Sequence, residues 1–189
     1  MANDPLAIAA RLTAALEALR VQYAVGGSLA SSLHGVPRAT NDIDIVADLR
    51  SGHVDRFIAR IEREFHVDAE MIRSAVAERS SFNVFDVTTM MKVDVFVAEA
   101  DEWIVEELVR AREESIEIDG TPATMRFATA EDTLLYKLVW YRLGGEQSER
   151  QWSDVLGVIK VQADRLDRSY LRRWAKHLKV SDLLDRVLA

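Results

Sequence analysis

The sequence predicts an α+β fold, a mixed β-sheet flanked by helices and followed by a helical tail. Three observations predict it. Strand-period alternation marks "DIDIVADL" and "KVDVFVAEAD", amphipathic helical spacing marks "GHVDRFIARIEREF", and helical patterning dominates after Ala128.

The elements follow in order. Asp4 before Pro5 is a helix start, with a capping acceptor and a ring at the first helical position, and apolar residues recur through Leu19. "VQYAV" is a short strand ending at Gly26-Gly27. Small and apolar residues from Ser28 to Leu33 suit a brief helix closed by His34-Gly35, and "VPRATN" is loop. "DIDIVADL" is the next strand and "GHVDRFIARIEREF" the next helix. "SSFNVFDV" and "KVDVFVAEAD" form two strands joined through "TTMM". After a helix over Trp103 to Arg112, "ESIEIDGTPATMRF" is a hairpin with Asp119-Gly120 in its turn. Four helices complete the chain, Thr129 to Leu143, Ser148 to Ala163, Arg168 to Leu178 and Ser181 to Leu188, with a break at Gly144-Gly145. The short connections favour one body, with any boundary near Ala128: a core over 1–128 and a helical subdomain over 129–189 packed on it.

The composition narrows the function classes. At 189 residues and 49% hydrophobic, the chain can bury a core without staples. It has no cysteine, which excludes disulfides, thiolate metal sites and cysteine nucleophiles and makes a reducing cytoplasm the expected setting. Asp4, Arg11 and Glu17 interrupt the apolar start, so neither a signal peptide nor a membrane span is expected. The net charge of -7 argues against broad nonspecific nucleic-acid binding. That charge is uneven: the chain from Lys137 onward carries +4 and the part before it -11.

Strand residues two apart share a face and lie about 6.6 Å apart. Asp42 and Asp44 therefore project together while Ile43 and Ile45 point inward, and Asp94 interrupts an apolar strand in the same way. A neighbouring strand about 4.8 Å away would bring Asp94 beside the first two acids. At an effective dielectric near 20 and about 6 Å, each carboxylate pair costs roughly 3 kcal/mol. A hard divalent cation reverses that sign, magnesium above all, and two ions about 3.5 to 4 Å apart fit such a pair of aspartates. Upstream, Gly26-Gly27 allows close backbone approach, and a helix starting at Ser28 offers free N–H groups to an anion. A phosphate-binding corner thus precedes a metal-binding strand, the two halves of a nucleoside triphosphate site.

Gly27-Ser28, thirteen intervening residues, Asp42-Ile43-Asp44 and a later strand Asp94 resemble the signature of nucleotidyltransferases of the DNA polymerase beta superfamily. The form "GGSLASSLHGVPRATNDIDIV" is most similar to the AbiEii toxin branch. The resemblance implies a nucleotidyltransferase-like mixed sheet and transfer of a nucleoside monophosphate from an NTP to a hydroxyl, with loss of pyrophosphate. It further implies that Gly27 and Ser28 cradle the β and γ phosphates, that Asp42 and Asp44 hold two Mg2+ ions, and that Asp94 completes the metal site and helps deprotonate the acceptor. The acceptor would be RNA, a protein side chain or a small molecule, and an antitoxin partner would be in keeping with the toxin branch.

Supporting positions are open to two readings. Arg38 and Thr40 lie in the loop before the acids, where a guanidinium can reach a phosphate or pair with an acid. His34, beside Gly35, reads as a capping or packing residue. Lys92 reads as solvent-exposed on the strand face opposite Asp94. Lys137 suits neutralisation of a triphosphate, and with Asp154 it matches a lysine and an acid that the resemblance places after the sheet; both also fit ordinary amphipathic helices. Arg150 and Asp154 are spaced as an i, i+4 pair. Trp140, Tyr141 and Trp152 read as core in preference to base-stacking groups. The rival function is a catalytically silent nucleotide-binding module that regulates a partner.

Overall fold

The capping signals act as the sequence requires. Asp4 Oδ1 accepts from the Leu6 amide at 2.9 Å and starts α1, Pro5–Ala18. The computed structural model describes residues 4–188. Its remaining elements are β1 Tyr23–Val25, α2 Gly27–His34, β2 Asp42–Ala47, α3 Val54–Ile61, β3 Phe65–His66, α4 Ala69–Glu78, β4 Ser81–Asp86, β5 Lys92–Val97 and α5 Glu102–Arg110. Then come β6 Arg112–Ile118, β7 Thr121–Phe127, α6 Ala130–Leu143, α7 Glu149–Gln162, α8 Arg168–His177 and α9 Ser181–Leu188. The α+β class is as expected. No described helix is long and apolar enough to cross a membrane.

The seven strands form one mixed sheet in the order β3-β4-β5-β2-β1-β7-β6. β2 runs antiparallel to β1 and parallel to β5, with Asp44 directly opposite Asp94. β7 joins β1 in parallel at Val25 and Phe127. The hairpin between β6 and β7 turns at Asp119-Gly120, whose φ values of 48° and 76° suit a two-residue turn.

Alternation along each strand divides the sheet into two faces. Ile43, Ile45, Val93, Val95, Phe82 and Val84 are buried on one, in a core closed by α1, α3 and α4. Burying each aliphatic side chain contributes roughly 1.5–3 kcal/mol, enough for this face to offset the carboxylate repulsion on the other. The second face, carrying Ala24 and Val46, is covered only in part, by Leu108 and Ile104 of α5 and Tyr136 of α6. Beyond that cover it opens as a cleft. A further cluster, built from Trp103, Leu134, Leu138, Val155, Leu171 and Trp174, joins the last four helices and α5.

Two local expectations need correction. The helix read over "GHVDRFIARIEREF" is a 3-10 turn at Ser51–His53 followed by α3, which ends at Ile61. Phe65 instead pairs with Asp86 as an edge strand, because extended backbone there buries its ring in the core under the Arg11 guanidinium. The sequence reading assigned nothing to residues 67–79. Asp68 caps α4 there by accepting from the Met71 amide at 3.0 Å.

Candidate active site

Most helices in this chain close their own N-termini. Asp4, Asp68, Asp101, Thr129, Ser148 and Asp167 each accept from a first-turn amide. Helix α2 differs: its cap is Gly26, which offers no side-chain acceptor to the first-turn amides. The positive end of the dipole is thereby left to face the cleft. Gly27 takes φ +55°, and a Cβ there would lie 1.8 Å from Asp44 Oδ2. Only glycine lets the helix start and the acid strand approach so closely.

The cleft has a volume of about 920 Å³. Gly26, Gly27, Ser28, Asp42, Asp44, Asp94 and Lys137 all line it. Its floor consists of three rungs across β2 and β5, set by register: Asp42 opposite Lys92, Asp44 opposite Asp94, and Val46 opposite Phe96. Lys92 therefore shares the face of Asp94, contrary to the sequence reading, because residues two apart on a strand project the same way. Its Nζ lies 2.6 Å from Asp94 Oδ2, and that bond raises the lysine pKa. Arg150 approaches Asp42, not Asp154, with Nη2 3.4 Å from Oδ2. The i, i+4 pairing is lost because the carboxylate of Asp154 is buried between two other cations.

Arg38 and Lys137 are those cations. Arg38 grips Asp154 with two nitrogens, Nε to Oδ1 and Nη2 to Oδ2, each at 2.8 Å, and Nη2 also donates to Ser28 Oγ at 2.6 Å. Lys137 Nζ lies 2.8 Å from Asp154 Oδ2, with the lysine only 4% exposed. Burial lowers the Lys137 pKa against the pull of Asp154. Burial pushes Asp154 up, but hydrogen bonds from Arg38 and Lys137 outweigh it and hold the acid below its ordinary range. Arg38 thus stands behind Ser28 and does not line the cleft. Thr40 does not line it either, since its hydroxyl bonds the backbone of Asp42 at 3.2 Å.

Sequence reasoning missed the contact that sets this assembly. A Cβ on Gly35 would meet Val158 N at 2.8 Å, and one on Gly157 would meet Val36 N at 3.3 Å. The loop after α2 is therefore pressed against α7, which carries Asp154. The isolated Gly157 within a helical pattern was the available signal. His34 packs as expected, its Nε2 2.7 Å from the Ala128 carbonyl. Tyr141 and Trp152 pack against each other with ring centroids 4.9 Å apart, whereas Trp140 is 49% exposed and lines the cleft.

Asp44 stands out electrostatically. Burial raises its pKa first, and the charge of Asp94 adds to the effect. Asp42, Asp94 and Asp154 each have a cation at ion-pair distance; among the described residues Asp44 has none. A cation bound beside it would meet one carboxylate without an ion-pair partner, Asp44, across from Asp94, which Lys92 already holds; carboxylate oxygens are the donors that magnesium takes. Among the described residues no three acidic or imidazole side chains stand at metal-holding distance, Lys92 and Arg150 being drawn to the outer two acids.

No protein-family profile matches the sequence, and no curated protein matches it. Solved structures do. The crystal structure of ANT(2'')-Ia in complex with adenylyl-2''-tobramycin aligns with a TM-score of 0.55 and 15% identity, over 92% of this chain and 95% of that one. The solution structure of the antibiotic-resistance factor ANT(2'')-Ia gives 0.53 and 13%, over 93% and 94%. The fold is a nucleotidyltransferase fold. A nucleotidyltransferase-like protein from Paracoccidioides brasiliensis also aligns, at 0.49 and 17% identity, over 95% of this chain and 90% of that one. Identities this low speak to shared architecture alone, and none of these three neighbours is an AbiEii toxin.

Proposed function

We propose that the protein is a nucleotidyltransferase that moves a nucleoside monophosphate from an NTP to a hydroxyl. The observation that carries this reading is the in-register pair Asp44 and Asp94 facing the uncapped start of α2. The amides of α2 and the Ser28 hydroxyl receive the β and γ phosphates, and Lys137 adds positive charge beside them. Arg38 acts from behind by holding Ser28 and Asp154. Asp44 would hold Mg2+ together with Asp42 and Asp94 once Arg150 and Lys92 release those two acids, and the ion would supply charge that neutralises the phosphates and makes the α phosphorus more electrophilic. Asp94 accepts the proton of the acceptor hydroxyl as its oxygen bonds the α phosphorus. The bond from that phosphorus to the β-phosphate oxygen breaks, and pyrophosphate leaves with the electron pair.

The "GGSLASSLHGVPRATNDIDIV" stretch supports placement nearest the AbiEii branch, with an antitoxin as partner and a cytoplasmic setting. A protein of that branch would take RNA or a protein as acceptor, whereas the ANT(2'')-Ia likeness is to a protein crystallised with an adenylylated antibiotic. Incubation with Mg2+ and each α-labelled NTP tests the core reading. Label transfer or pyrophosphate release is expected, and Asp44→Asn should abolish it.

One observation favours the silent-module reading. Lys92 and Arg150 already neutralise two of the three acids. NTP binding that persists without label transfer, across RNA, protein and small-molecule acceptors, would establish that alternative.

A further inference from the structure

We propose that the cleft beyond Asp94 holds the acceptor, and that this acceptor is a small hydroxyl-bearing molecule with a flat apolar body. The inference rests on the transferase reading above and deepens it. Phe96 follows Asp94 by two residues on β5, so its ring lies on the same face about 6.6 Å along the strand. Val46 stands opposite it on β2. Tyr136 and Trp140 from α6, Ile104 from α5 and Leu178 at the end of α8 complete the wall. The rings of Phe96 and Trp140 are tilted at 57° with centroids 6.5 Å apart. Trp140 remains 49% exposed there, an apolar surface that the core does not use. A molecule stacked in this lobe would present its hydroxyl to Asp94, the acid assigned to take the proton.

Charge decides between classes of acceptor. A polycation needs several free carboxylates, but Asp101 accepts from the Trp103 amide and lies 2.8 Å from His177 Nε2. Apart from the three aspartates of the floor, Glu99 is then the remaining acid that lines the cleft among the described residues. A polynucleotide needs free cations, and Arg79, which lines the cleft, is bonded to the Ala98 carbonyl and lies 3.7 Å from the Asp48 carboxylate. The chain's net charge of -7 also opposes a long phosphate backbone.

The test reads acceptor binding without nucleotide or metal, and MgATP binding separately. Tryptophan fluorescence and calorimetry would follow 2-naphthylmethanol as the flat apolar alcohol, tobramycin as the polycation and a short oligoadenylate as the polyanion. The naphthyl alcohol should bind best. Trp140→Ala should weaken it about fivefold and the volume-preserving Phe96→Leu about threefold, with both variants melting as cooperatively as the wild type. MgATP affinity should stay unchanged in both. Absence of naphthylmethanol binding, indifference to both variants, or tighter tobramycin or oligoadenylate binding would overturn the proposal. Loss of MgATP affinity in Trp140→Ala would overturn it too, by giving the lobe to the nucleobase. Failure of NTP label transfer is a separate result: it would remove the transferase reading and leave these binding data standing.

Discussion

At the scale of single residues, Gly27 carries the most specific demand in the cleft. Gly27→Ala would combine a positive φ with a Cβ 1.8 Å from Asp44 Oδ2. We expect a loss of about 1–3 kcal/mol in urea unfolding and a greater proportional loss of NTP affinity by titration, because Asp44 must move to make room. This glycine was legible in the sequence, since a tight turn from a strand into a helix needs one. Lys92 was misplaced by a parity error, although period-2 spacing already put it with Asp94. Glu107 had no sequence signal at all. It is fully buried, accepts from Tyr136 at 3.0 Å, and burial followed by the charge of Asp132 raises its pKa to about 8. A folded pKa above the ordinary 4.5 means the folded protein binds this proton more tightly than the unfolded chain. The associated stability is complete below about 4.5 and disappears as pH rises through about 8. Glu107→Gln should therefore flatten the fall in melting temperature between those values and leave the variant more stable than the wild type above pH 8.

At the scale of elements, α7 joins the helical tail to the start of α2 through one acid, Asp154, by way of Arg38 and Ser28. Asp154→Ala would strand Lys137, 4% exposed, beside Arg38 with no counter-charge. A destabilisation of about 3–5 kcal/mol is expected by denaturant titration, with Asp154→Asn recovering part of it. The double variant Asp154→Ala with Lys137→Met should be more stable than Asp154→Ala alone, because the buried charge leaves with its partner. Helix starts were readable at some caps, as Ser148 and Thr129 illustrate, but the Asp68 cap of α4 was passed over. The edge strand at Phe65–His66 was not, because its reason for existing is the backbone of β4 some twenty residues downstream. The pairing of Arg38 with Asp154 crosses 116 positions, and no local pattern signals it.

At the scale of the whole molecule, Asp44 carries a partly buried carboxylate with no ion-pair partner among the described residues, so under the proposed function ligand and stability are linked. Saturation with Mg2+ and an NTP at about 100 times its dissociation constant should stabilise the fold by about 2.7 kcal/mol. For a chain of this size, that is a rise of roughly 5–10 °C in melting temperature. Asp44→Asn should melt higher than the wild type without ligand and lose most of the ligand-induced rise, both readable in one calorimetric series. The hairpins of this sheet were local and visible in the sequence. The parallel junction of β7 with β1, which closes the strand order, rests on Val25 and Phe127 and lay beyond any window of the sequence.

The backbone seam at Gly35 and Gly157 gives the molecule a wedge point. A methyl group inserted there would pry the loop and α7 apart and tilt Asp154 away from Ser28 while leaving every ligand-facing side chain chemically intact. Substitutions at those two glycines would thus act as a mechanical gauge of how much misalignment the Ser28 corner tolerates.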